Sequence, residues 1–261
     1  MKGADNSDFE DSGELYEYVR KNGLEAEMDR LMDYYVGIAC DPNKALKKEE
    51  ERLLKITLLG YNYESAKNIA RHVFPENVEV VSDPATLLRV FKIRRRVYSN
   101  EGYQEIFGGG FPSFEVDDFD LDSLHLFTMR KKRITASARI IKDTYQYKNY
   151  EENFKTEYRL EDFQGKKAEW SRYVSVSPGG DGLDIFASLY NLSKYVLGYT
   201  WVFFESIDRH YKKYSKFGNI HLISRGKFGG KGPFWNLSAW NISEEPSDYF
   251  FNLFGERIQR H

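Results

Sequence analysis

Between residues 91 and 176, four apolar stretches each carry charged side chains: FKIRRRVY (91–98), FEVDDFD (114–120), ITASARII (134–141) and AEWSRYVSV (168–176). Ions are costly to bury unless they pair or bind something. A fold that accepts this pattern must gather Arg94, Asp117, Asp120, Arg139, Glu169 and Arg172 into polar company. The set predicts that these six side chains share one cleft on one side of a sheet.

The rest of the chain limits what surrounds that cleft. With 261 residues, 41% of them hydrophobic, it has material for a sizeable core. Aromatics reach 16%, with 19 Tyr and 19 Phe, which suits pockets as well as interiors. No apolar run approaches the ~20 residues of a spanning helix, and the polar start MKGADNSDFEDSGEL does not read as a secretory signal. Cys40 is the only cysteine, so an internal disulfide and a thiolate metal site are excluded, and a reducing, cytoplasmic setting is expected. Five histidines without ligand spacing give no metal expectation. The net charge of −2 carries no nucleic-acid signature. Charge is uneven, however. Arg209, Lys212, Lys213, Lys216, Arg225, Lys227 and Lys231 crowd residues 209–231 with no acidic residue among them. That stretch reads either as a docking face for an anionic partner or as a solvated helix followed by a loop.

Along the chain, an acidic start precedes helical periodicity over 15–39, broken at Asp41-Pro42, and one or two more helices over 46–74 interrupted near Gly60. Residues 1–76 therefore read as a tail and helical extension, and 77–261 as the main domain. There, 78–81 reads as a strand. Ser82 or Asp83 caps a helix with Pro84 at its first position, running to about Tyr98. Residues 123–129 and 134–141 flank Arg130-Lys131-Lys132-Arg133 as a hairpin with a basic tip. Residues 169–176 form a third strand, 184–197 a helix, 200–204 a strand, 206–217 a helix ended by Gly218, and 220–224 a strand. This order gives an α/β (α+β) fold: a mixed central sheet with helices on both faces.

The order and these residues resemble the GNAT acyltransferase fold, and within it the autoinducer (acyl-homoserine lactone) synthases and the long-chain N-acyl amino acid synthases. The similarity rests on Arg94, Val97, Tyr98, Gly102 and Tyr103 in the first helix, then Glu115, Asp117, Phe119 and Asp120, then Arg139, then Glu169, Ser171 and Arg172. It covers about residues 85–177. Asp120, Ser123 and His125 resemble the amino acid synthases more than the lactone makers. The Gly-rich pyrophosphate turn of many GNAT proteins is replaced by Ser177-Pro178-Gly179-Gly180-Asp181-Gly182, which points to a carrier-protein donor rather than coenzyme A.

The resemblance implies transfer of a fatty acyl group from an acyl-carrier-protein or acyl-CoA thioester to the amine of an amino-acid-like acceptor, with no permanently bound cofactor. A lactone synthase using S-adenosylmethionine, and an inactive lipid- or protein-binding module, are the alternatives. It also implies a backbone amide near Val174–Val176 facing the thioester oxygen. Glu169 reads either as the base that deprotonates the amine or as a partner of Arg172 or Arg139. Asp117 and Asp120 read as holding a cationic acceptor or as turn-forming residues. Arg94 and Arg139 read as grips on an acceptor carboxylate or as members of an ion-pair network with those acids. His125, mid-strand, reads as a hydrogen-bonding or substrate-facing residue. Lys212, Lys213 and Lys216 are the expected carrier-docking residues.

Overall fold

The computed structural model describes residues 54, 57–58, 60–103, 114–117, 119–142, 158–176, 180–227 and 233–258. The acidic start, the periodic stretch at 15–39, Cys40, most of residues 46–59, and residues 177–179 and 228–231 lie outside the described residues. The chain divides into two compact units. One combines residues up to 64 with 82–122, and the other combines 65–81 with 123–261. Helix α1 (Tyr63–Ala70) follows a break at Tyr61–Asn62, close to the interruption expected near Gly60.

In the first unit, helix α2 (Pro84–Asn100) starts as its sequence dictates. The Asp83 carboxylate accepts the Thr86 N–H at 2.9 Å and Pro84 takes the first turn. Leu87, Phe91, Arg94 and Tyr98 recur at helical spacing and are all buried. Arg94 is thus carried inward by the same stripe that buries Phe91.

The second unit holds a seven-stranded sheet in the order β1-β2-β3-β4-β5-β7-β6. The strands are β1 (Val78–Val80), β2 (Ser123–Arg130), β3 (Arg133–Ile141), β4 (Lys167–Ser175), β5 (Trp201–Ile207), β6 (Ile220–Gly226) and β7 (Trp235–Asn241). Every pairing is antiparallel except β4 with β5. The parallel ladder covers only Lys167–Trp170 against Trp201–Phe204, and β4 runs on past it to Ser175. The connection between them is helix α3 (Gly180–Asn191), which continues as a π-turn over Leu192–Val196. Helix α3 begins at Gly180, so Gly180, Asp181 and Gly182 are helical rather than part of the expected loop. Helix α4 is shorter than its sequence pattern, Asp208–Tyr214, because Ser206 and Ile207 pair with Asn236 and Trp235 as strand. Helix α5 is Asp248–Phe254.

Strand alternation sorts side chains onto two faces. Trp170, Phe204 and Trp240 share one face, and there the aromatic content of the chain is concentrated. Phe186 of α3 meets the Trp170 ring at 5.4 Å and stacks on Phe254 of α5 at 5.4 Å; Tyr214 of α4 meets Phe204 edge-on at 5.7 Å. So α3, α4 and α5 all pack on this face. On the other face, Phe163, Phe203, Ile223, Leu237 and Ala239 form a smaller apolar cluster. Side-chain clasps tie the ends of the unit to α3. Asn191 donates to the carbonyls of Phe74 and Arg257, at 3.0 and 2.8 Å, and Asp184 accepts from Asn77 and Arg257.

The entry to the parallel pair depends on Gly165. Its φ is +100°, and a Cβ there would lie 2.5 Å from the Thr200 hydroxyl and 2.9 Å from Thr200 Cβ. Next to it, the Lys166 carbonyl accepts both the Thr200 and Trp201 amides. Gly165→Ala is expected to cost about 1–3 kcal/mol, read as a lower midpoint in thermal denaturation. An unchanged midpoint would show that the junction relaxes without strain.

Candidate functional site

The predicted site residues fall into two groups. Arg94, Asp117 and Asp120 belong to the first unit, and His125, Arg139, Glu169, Arg172, Val174 and Val176 to the second.

The first group is a buried ion cluster. Arg94 is fully buried, and its Nη1 lies 2.7 Å from Asp120 Oδ1 and 3.8 Å from Glu115 Oε2. Its guanidinium also lies over the Phe91 ring at 5.6 Å. The second oxygen of Asp120 accepts the Asp117 N–H at 2.9 Å, and the Asp117 carboxylate accepts the Phe119 N–H at 3.0 Å. The acidic segment therefore folds into an Asx-type turn that aims Asp120 at Arg94. Both structural readings of these residues, turn formation and ion pairing, are present in the geometry. Glu115 carries part of this network and had no role assigned to it from the sequence; the signal was its place between the apolar Phe114 and Val116.

The second group lies on the sheet face opposite Trp170. His125 pairs in register with Arg139, and Arg139 with Ser171, which makes one row across β2, β3 and β4. His125 and Arg139 are fully buried, and Arg139 Nε donates to Ser171 Oγ at 2.8 Å. One step along, Glu169 lies between Ile141 and Phe203 and is 4% exposed. Trp170 is not what dries this carboxylate. Its ring is on the other face, donating from Nε1 to Ser193 Oγ at 2.9 Å. Ser137, also on this row-bearing face, keeps a buried hydroxyl with no hydrogen-bond partner.

Beyond Ser171, β4 bulges. Two residues, Arg172 and Tyr173, oppose Ala138 alone, and Arg172 takes φ +54°. A left-handed non-glycine residue is a strained feature that a surrounding structure must impose. The bulge follows directly on the end of the β4–β5 ladder. It also fixes which amides face which neighbour. The Val176 amide donates to the Thr135 carbonyl at 2.8 Å. Antiparallel alternation turns the Val174 amide the same way, toward its register partner Ser137. Val176 is thus committed to β3, and by the same alternation the Ser175 amide is turned away from β3.

Tyr173 keeps part of its ring exposed, but its hydroxyl end is turned in so closely that a Cβ on Gly182 would lie 2.5 Å from it. Burial pushes its pKa up to about 12 and raises that of Tyr214 further, with the Tyr173 hydroxyl adding to the effect. Both are held protonated in the folded chain, above the ordinary value of 10. Their contribution to stability is complete below pH 10 and disappears as pH rises through about 12. Alkaline denaturation should therefore steepen between these limits, and Tyr173→Phe should flatten it; an identical alkaline limb in both proteins would refute this origin.

Lys212, Lys213 and Lys216 are exposed at and after the end of α4, whose Tyr214 packs inward. Arg225 is drawn away from that stretch by Asp208, with Nη2–Oδ2 at 2.5 Å, and its guanidinium lies over Phe234. This contact and Asn236 hold the Asp208 carboxyl below the usual carboxylate range. Among the described residues, no group of three or more His, Cys, Asp or Glu is arranged to hold a metal ion.

No family model matches the sequence, and no curated protein matches it closely. Solved structures do match. A CoA-dependent acyl-homoserine lactone synthase, MesI, superposes with a TM-score of 0.52 at 15% identity, covering 66% of this chain and 88% of that one. TofI, solved in a ternary complex with an inhibitor and MTA, gives 0.53 at 12% identity, covering 68% and 96%. FeeM, an N-acyl amino acid synthase from uncultured soil microbes, gives 0.47 at 12% identity, covering 64% and 91%. The chain has the fold of MesI and TofI: a mixed seven-stranded sheet with its helices.

Proposed function

We propose that this chain is an N-acyltransferase that moves a fatty acyl group from a carrier-protein or coenzyme A thioester to the amine of an amino-acid-like acceptor. The observation that carries the reading is the buried Glu169, one step from the His125–Arg139–Ser171 row, on the strand that leaves its parallel neighbour after Trp170. The fold shared with MesI supports it. Glu169 takes the proton of the attacking amine, the nitrogen bonds to the thioester carbon, and the carbon–sulfur bond breaks to release the thiolate. The Ser175 amide faces the oxygen that turns negative; a lost donor of this type costs ~10²–10³ in rate elsewhere. Arg139 and Arg172 hold the acceptor carboxylate, with His125 beside it. Among the described residues, no helix is long and apolar enough to cross a membrane.

The donor is a carrier protein in this reading, because Ser177-Pro178-Gly179-Gly180-Asp181-Gly182 stands where many GNAT proteins have a Gly-rich pyrophosphate turn. The acidic carrier meets Lys212, Lys213 and Lys216. Changing all three to Glu should raise the apparent KM for an acyl-carrier protein, most strongly at low salt, where the Debye length is ~10 Å at 0.1 M. A soluble thioester should be used nearly unchanged. Equal loss with both donors would mean a damaged fold, and no loss with either would favour coenzyme A.

A lactone synthase using S-adenosylmethionine is the second reading, supported by the fold shared with MesI, an acyl-homoserine lactone synthase. Mass spectrometry of the product separates the two: an N-acyl amino acid against a lactone. A chain that binds acyl-carrier protein yet releases no thiol with any amine would be a binding module instead.

A further inference from the structure

The β2–β3 hairpin is closed by two residues, because Arg130 and Arg133 pair across it. Lys131 has φ +48° and Lys132 φ +65°. A two-residue loop with both positions left-handed is a type I′ turn, which Asn-Gly, Asp-Gly or Gly-Gly adopt with least strain. Here both positions are lysines. The turn accepts two strained cations where a relaxed neutral pair would fold more easily, and strain of this kind points toward function.

The surroundings indicate what the cations meet. Arg130, Lys131, Lys132 and Arg133 are consecutive and exposed, on a chain whose net charge is −2. Arg130 also reaches Asp181 at the start of α3, which braces the tip against that helix. Met129, 38% exposed, adjoins the tip, and Val176, 40% exposed, is fixed to the same end of the sheet by its bond to Thr135. Exposed apolar side chains at the same end of the sheet as a tight knot of cations suit the boundary between anionic lipid headgroups and acyl chains. A purely charged tip would suit an acidic protein equally well; the exposed Met129 and Val176 favour the bilayer. The part of β4 that runs past the β5 ladder ends at this same end of the sheet.

We propose that the β2–β3 tip, with Met129 and Val176, docks the protein peripherally on an anionic membrane surface. Docking at this tip is independent of which reaction the chain catalyses, and its test reads binding alone. The full chain is sedimented with phosphatidylcholine vesicles, with and without phosphatidylserine. Binding is expected only to the anionic vesicles, falling steeply as salt rises. The double variant Lys131→Asn, Lys132→Gly should partition roughly tenfold or more weakly, with a melting temperature equal to or above the wild type because the new pair fits the turn. Met129→Ser should weaken binding and leave its salt dependence unchanged. Equal binding to both vesicle types, no binding to either, or unaltered binding by the double variant would overturn the proposal. So would capture of an acidic carrier protein that the double variant abolishes, in a chain that ignores vesicles; the tip would then be a protein-docking site.

Discussion

Glu169→Gln is expected to lower turnover about tenfold or more while leaving the melting temperature in place. The substitution keeps the size and shape of the side chain between Ile141 and Phe203 and removes its capacity to take a proton. At 4% exposure the carboxylate is almost out of reach of bulk water, which suits the proposed base role. Raising the pH should partly relieve the variant only if the acceptor amine can lose its proton to solvent. That profile distinguishes a missing base from a missing strand contact. Near-normal turnover at an unchanged melting temperature would remove Glu169 from the chemistry and leave it a structural residue.

Arg94→Met has the opposite signature. The side chain fits a helix interior, but it leaves Asp120 and Glu115 buried without their guanidinium. Breaking a buried pair in this way costs about 3–5 kcal/mol. For a chain of this size that is a fall of roughly 6–20 °C in melting temperature, at about 2–4 °C per kcal/mol. Adding Asp120→Asn should recover part of the loss, since it removes one of the stranded charges. Stability within a degree or two of wild type would show that the cluster is cheap to dismantle, and that Arg94 is retained for a ligand rather than for the fold.

The sequence exposed most clearly those features that are set locally. Asp83-Pro84 announced the start of α2, whose 87–91–94–98 stripe carries Arg94 inward with Phe91. The basic tip flanked by β-rich runs announced the β2–β3 hairpin. Features set by distant partners were invisible. Ser206 and Ile207 belong to a helical pattern, yet their register with Asn236 and Trp235 holds them extended. The bulge at Arg172 rests on a positive φ at a residue type that gives no such signal. What surrounds Glu169 is likewise set at a distance. Alternation puts Trp170 on the opposite face, and the register, not the neighbour in sequence, supplies Ile141 and Phe203. Which amides of 174–176 are turned toward β3 was equally invisible, since backbone direction is decided by the strand across the ladder.

The short parallel ladder has a consequence for how the second unit assembles. Strands β1 to β4 form one antiparallel block and β5 to β7 another, and the strand ladder between them pairs Lys167–Trp170 with Trp201–Phe204. The β2–β3 and β6–β7 pairs are near in sequence, so closing them costs little chain entropy. The seam must wait for α3 and its π-turn to bring β5 alongside β4. Such crossover contacts are the slow ones in folding. The seam should therefore be the last part of the sheet to gain protection and the first to lose it. In native-state hydrogen exchange, amides of β2 and β3 should open with the full unfolding free energy, whereas those of 167–170 and 201–204 should open through a cheaper parting of the two blocks.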